Sequence, residues 1–112
     1  MFRDDLQKAT VCLVLLDQVG LSHLWAEDGP TEKAKELLEA EGGDLLGDEK
    51  LVFLTTCAIW SGEGGPSMSE LRALAPARLV AVASLMRCLG TDAEAVDQWL
   101  RASPPLGGEA TA

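Results

Sequence analysis

One histidine, three cysteines and eighteen acids are the side chains of this 112-residue chain with the means to do chemistry. A lone His23 excludes any site built on two imidazoles and leaves a general base or a mixed metal ligand. A nucleophilic pair of Cys57 with His23 would need a thiolate. Cys57 lies mid-way along an apolar stretch, with no basic neighbour or helix N-terminus to lower its pKa, so the simpler reading is a buried structural thiol and a surface histidine. No C-x-x-C or H-x-x-x-H spacing occurs, and the acids lack the glycine and ligand positions of a calcium loop. Gly62-Glu63-Gly64-Gly65 resembles a phosphate cradle in glycine content alone, because it has no lysine and its one side chain is anionic. The expectation is therefore a protein without catalytic residues, metal or cofactor.

What remains is recognition. The chain carries nine basic residues against eighteen acids, a net charge of −9. Residues 27–49 hold Glu27, Asp28, Glu32, Glu36, Glu39, Glu41, Asp44, Asp48 and Glu49 against Lys33 and Lys35, a local balance of −7. Such a surface repels phosphate backbones, so direct nucleic-acid binding is not expected. Glu32, Glu36 and Glu39 fall within a turn of one another, where like charges cost a few tenths of a kcal/mol; they are either a solvated helix face or a binding face. Trp60, beside a glycine-rich loop with Glu63 at its tip, is a candidate anchor for a partner, the plainer alternative being a core tryptophan. Glu32, Glu36, Glu39, Trp60 and Glu63 are the candidate partner-binding residues.

The elements that must position these residues read as helices. The first spans about 4–19, with Leu6, Ala9, Leu13 and Leu16 on one stripe, widened by Cys12, Leu15 and Val19. It is apolar nearly all round over 11–16 and so should be central, with a buried strand as the competing reading. Pro30 at a first helical position opens a short charged surface helix to about 40, with Ala34, Leu37 and Leu38 inward and Gly42-Gly43 as terminator. Asp48 and Glu49 suit the first turn of a third helix to about 61, capped at Gly47 with Leu46 stapled onto Leu51. Its Leu51, Leu54 and Ala58 form one face and Phe53, Cys57 and Trp60 another.

Residues 62–66 break the pattern. Ser67 and Glu70 form a capping box for a short helix to about 74. Pro76 starts the next, to Leu89, with Leu79, Val82, Ala83, Met86 and Leu89 inward and Arg78 and Arg87 outside. Gly90 ends it. Thr91 and Glu94 read as a second capping box, opening a last helix with Val96, Trp99 and Leu100 inward and an outer Asp97–Arg101 pair. The fold class is thus all-α, a compact bundle of about five to six short helices in a single domain over 1–102, followed by a flexible Pro/Gly-rich tail over 103–112.

The composition, 47% hydrophobic and 24% charged, is that of a chain able to bury a core. The longest apolar run, 11–16, is too short to span a bilayer, and acids rather than basic residues precede it, so no membrane association and a cytoplasmic setting are expected. Three widely spaced cysteines, Cys12, Cys57 and Cys88, fit reduced, mostly buried thiols. Asp48-Glu49-Lys50-Leu51-Val52, followed by Ala58-Ile59-Trp60-Ser61-Gly62-Glu63-Gly64, resembles small bacterial helical proteins of unassigned function that carry an E-x-L start and a W-[NS]-G-x-G end on one helix. The likeness extends over about residues 31–100 and implies a bacterial origin without implying an activity.

Three functions compete. The leading one is a non-enzymatic protein-protein interaction or regulatory module whose partner is basic or amphipathic. The alternative is an acidic mimic of nucleic acid, of phage or plasmid type, that inhibits a nucleic-acid-binding protein. The third is an enzyme or small-ligand binder using an apolar pocket between helices. A homodimer hiding Trp25, Trp60 or the apolar surface of the first helix is a further possibility.

Overall fold

The computed structural model describes residues 2–102; the expected tail over 103–112 lies outside the described residues. The described chain is a helical bundle with one minimal hairpin, in the order α1 (Asp5–Asp17), a 3₁₀ turn (Ser22–Leu24), β1 (Trp25–Ala26), β2 (Gly29–Pro30), α2 (Glu32–Glu39), α3 (Asp48–Ser61), α4 (Met68–Leu71), α5 (Pro76–Leu89) and α6 (Ala93–Ala102).

Asp4 caps α1 by accepting from the Gln7 amide at 2.8 Å, which places the first turn in the order the sequence suggests. The apolar run then forms helix, not strand, and is enclosed on several sides: Ala9, Val11, Cys12, Val14, Leu15 and Leu16 are all buried. α1 packs chiefly on α3, whose Val52 and Phe53 are also buried, and touches β1, the 3₁₀ turn and α6. Leu6, expected on the inner stripe, stands 62% exposed. Its place at the helix end is taken by Gln7, which donates to the Ala93 carbonyl and the Asp97 carboxylate at 2.9 Å each and so buries a polar group fully paired across to α6.

The hairpin was not apparent from the sequence. Trp25 pairs with Pro30 and Ala26 with Gly29, two residues a side, too short for any alternation to show. Pro30 consequently belongs to β2, and Thr31 caps α2 by accepting from the Ala34 amide at 3.2 Å. Thr31 also donates from its amide and hydroxyl to the Leu24 carbonyl, locking α2 to the turn before the hairpin. At the other end Glu41, with φ 54°, takes the first left-handed position ahead of Gly42 and Gly43.

α3 matches its expected bounds, from Gly47 at the N-cap to a left-handed Gly62 at the C-cap, whose amide donates to the Ala58 carbonyl at 2.7 Å. Leu46 is 77% exposed and makes no staple. The Ser67–Glu70 capping box forms in both directions, at 2.9 and 3.1 Å, but α4 closes after one turn at Leu71 and Leu74 is buried beyond it.

In α5 the expected inward face is rotated. Val82 and Leu85 are buried and Leu79 and Leu89 partly so, whereas Ala83 and Met86 face solvent. Arg78, expected outside, is half-buried and binds the Asp48 carboxylate at 3.1 Å and the Gln18 carbonyl at 3.1 Å, so α5, the start of α3 and the end of α1 share one cation. α6 is capped by Asp92, which accepts from the Ala95 amide at 2.8 Å, while the Thr91 hydroxyl donates back to Arg87. Asp97 pairs with Arg3 in place of Arg101.

Candidate functional site

Eight of the nine acids between residues 27 and 49 are exposed, and Asp48 alone is half-buried, held by Arg78. Glu32, Glu36 and Glu39 project as one stripe along α2, since positions separated by three and four residues share a helix face. Glu32 meets Lys35 at 3.5 Å, with both side chains largely in solvent, a contact worth little.

About 130° round α2 from the centre of this stripe stands Leu38, 46% exposed. Leu38 forms one wall of an open groove of about 490 Å³, whose other lining residues are Leu54, Cys57, Ala58 and Ser61 of α3 and Glu63, Gly64 and Gly65 of the following loop. The lining is mostly apolar with one carboxylate at the lip. The loop closes against α3 because residue 65 is glycine: with φ +98°, a Cβ there would stand 2.8 Å from the Ala58 Cβ. Ser61 and Glu63 fix the lip locally, the Ser61 hydroxyl donating to the Glu63 carbonyl at 3.1 Å.

Trp60 is one residue, about 100°, round α3 from Ser61 and does not line this groove. Its ring meets Trp25 edge-on, with centroids 5.8 Å apart and planes at 80°, and the Lys8 ammonium stands 4.8 Å from the ring centroid. Gly29, with φ +130°, lets the hairpin approach the same ring, since a Cβ there would lie 2.7 Å from it. Trp60 therefore joins β1, β2, α1 and α3 as a half-buried packing element, with a cation–π contact of about 0.5–1 kcal/mol at such a partly exposed site. Of the five sequence candidates, Glu63 lines the groove, Glu32, Glu36 and Glu39 lie on the helix that walls it, and Trp60 stands apart.

Cys12 and Cys57 are poor nucleophiles. Burial pushes Cys57 up to about 11. Cys12, whose thiol faces the Thr56 carbonyl at 3.9 Å, is pushed up to about 12 by burial first and by neighbouring Cys57 second. All three cysteines are free. His23 is exposed in the 3₁₀ turn. Among the described residues no group of three or more His, Cys, Asp or Glu side chains is placed to hold a metal ion, and no helix is long and apolar enough to cross a membrane.

The groove is the feature that sequence reasoning missed. Its walls come from residues 38, 54, 57, 58, 61 and 63–65 and meet only in three dimensions; the one linear signal was Leu38, a large apolar residue among α2 glutamates. Comparison with protein-family models, with curated proteins and with solved structures finds no match for this chain.

Proposed function

We propose that this chain is a non-enzymatic interaction module that holds a basic, amphipathic segment of a partner protein along α2 and α3. An apolar side chain of the partner enters the groove between Leu38 and Leu54, and its cations lie along Glu32, Glu36 and Glu39 and at Glu63. The observation that carries this reading is the position of Leu38, which belongs both to the helix of the acidic stripe and to the apolar wall of the groove. Amphipathic segments are recognised by that combination: apolar anchors supply affinity, while flanking charge speeds encounter and fixes register. Three free cysteines suit a reducing, cytoplasmic setting, and the reading requires no cofactor.

A second reading draws support from the exposure of eight of the nine acids in 27–49: a nucleic-acid mimic would use the carboxylates and ignore the groove. A fluorescently labelled Lys/Leu amphipathic peptide serves as the probe for both. The interaction module binds it, and loses at least tenfold in affinity on Leu38→Ser, on joint reversal of Glu32, Glu36 and Glu39 to Lys, and above about 0.3 M salt. Loss on charge reversal with none on Leu38→Ser assigns the acids to mimicry. Absence of binding, or binding indifferent to both changes, refutes the module.

A further inference from the structure

α5 turns Val82 and Leu85 into the core and packs chiefly on α6. Its opposite side presents Ala77, Val80, Ala83, Met86 and Arg87 to solvent, with Val80 65% and Met86 44% exposed. The outer side of a surface helix is normally its charged side, and a helix apolar all round is one that is enclosed. Among the described residues one side is enclosed and the other is left uncovered, with a single charge at its end.

Charge decides what can cover it. Residues 66–102 hold four arginines (Arg72, Arg78, Arg87 and Arg101) and four acids (Glu70, Asp92, Glu94 and Asp97), and are neutral, whereas residues 1–65 hold five cations against thirteen acids, a balance of −8. Two copies of so acidic a chain repel each other over most approaches. Meeting through α5 brings the two neutral parts together and leaves both acidic parts outside. A cationic partner, drawn to the acidic side, finds no carboxylate on the outer side of α5.

We propose that the outer side of α5, centred on Val80 and Ala83, is a self-complementary surface through which two copies of the chain pair about a two-fold axis, α5 antiparallel to α5. In that arrangement Val80 of each copy meets Ala83 of the other, with Ala77 and Met86 along the two opposite edges of the seam. The contact is one helix pair: fourteen residues give a length of about 21 Å, which buries less than the roughly 800 Å² per partner of a stable standard-sized complex. The pairing is therefore reversible and visible as a concentration dependence.

Sedimentation velocity on the full chain from about 5 to about 500 µM, at about 0.05 M and about 0.5 M salt, tests it. The weight-average mass should rise toward twice that of one chain with concentration, equally or more strongly at high salt, where the repulsion between acidic surfaces is screened. Val80→Glu should remain a single chain throughout, and Met86→Lys should weaken association at least tenfold, both with the helical circular dichroism of the parent because both side chains lie at the surface. The proposal is overturned by a wild-type chain that stays single at the highest concentration in both salts. It is equally overturned by association that either variant leaves untouched, or that disappears at high salt.

Discussion

α3 and α5 are each fourteen residues long, each is rich in apolar side chains on more than one side, and each begins and ends on unambiguous glycine or proline signals. Their surroundings differ. α3 packs on α1 and meets the hairpin at Trp60, burying Val52, Phe53, Thr55, Thr56 and Cys57, and its two threonine hydroxyls donate back to the Leu51 and Val52 carbonyls at 2.8 Å each. α5 buries Val82 and Leu85 and little else. The same kind of sequence thus yields a central helix in one case and a half-covered one in the other. Apolar content marks a helix that needs enclosing, and the fold of one copy supplies that enclosure for α3 alone.

The largest consequence is energetic. Phe53 is 0% exposed, so Phe53→Ala removes a ring from a site closed on all sides and should cost about 3–5 kcal/mol by urea unfolding. Val80→Ala, measured below the concentration at which copies pair, should change stability by less than about 0.5 kcal/mol. A Val80→Ala cost approaching that of Phe53→Ala would mean that α5 is enclosed within one copy, and the contrast between the helices would fail.

The contrast also fixes what could be read from residues alone. Helix ends were legible where backbone chemistry marks them: Gly47 and Gly62 around α3, Pro76 and Gly90 around α5, the Ser67–Glu70 box at α4. The buried side was legible only in part for α2: Ala34 is buried and Leu37 half-buried as expected, but Leu38, expected inward with them, is 46% exposed because no neighbouring element covers the end of this short helix. In α1 and α5 it was not, because a helix apolar on several sides fits the core in several rotations, and packing chose one that exposes Leu6, Ala83 and Met86. The acidic stripe was legible because charge has one stable location, the surface. The groove beside it was not, since it depends on the approach of Gly65 to Ala58, a contact with no local signature. Trp60 was legible as a tryptophan at a helix end, but its ring partners, Trp25, Lys8 and Gly29, come from three other segments.

A difference in reactivity follows from the same comparison. Cys57 on α3 is buried and Cys88 on α5 half-buried, so an alkylating reagent at about pH 8 should modify Cys88 at least tenfold faster than Cys57 or Cys12, which peptide mass mapping will show. Burial raises the Cys57 thiol from 9.0 to about 11. A group whose folded pKa is raised stabilises the fold fully below its unfolded value and loses that contribution as pH rises through the folded one. The urea midpoint should therefore fall between about pH 9 and pH 11, less steeply in Cys57→Ala. Equal labelling of Cys57 and Cys88 would place the two helices in like surroundings.

The smallest effect concerns what covers the inner side of α5. Trp99 of α6 is 8% exposed and its indole N–H donates to the Ala81 carbonyl of α5 at 3.1 Å. Trp99→Phe keeps most of the ring and removes the donor, and a buried hydrogen bond of this kind contributes about 1 kcal/mol; stability should fall by that amount. Because Ala81 and Val82 turn toward α6 while Val80 and Ala83 turn away, the same substitution should leave the association of folded copies unchanged. The two readouts come apart only if α5 has two independent faces, one satisfied inside the chain and one not. A Trp99→Phe variant that loses stability and association in equal measure would instead make the outer face a consequence of how α6 holds the helix.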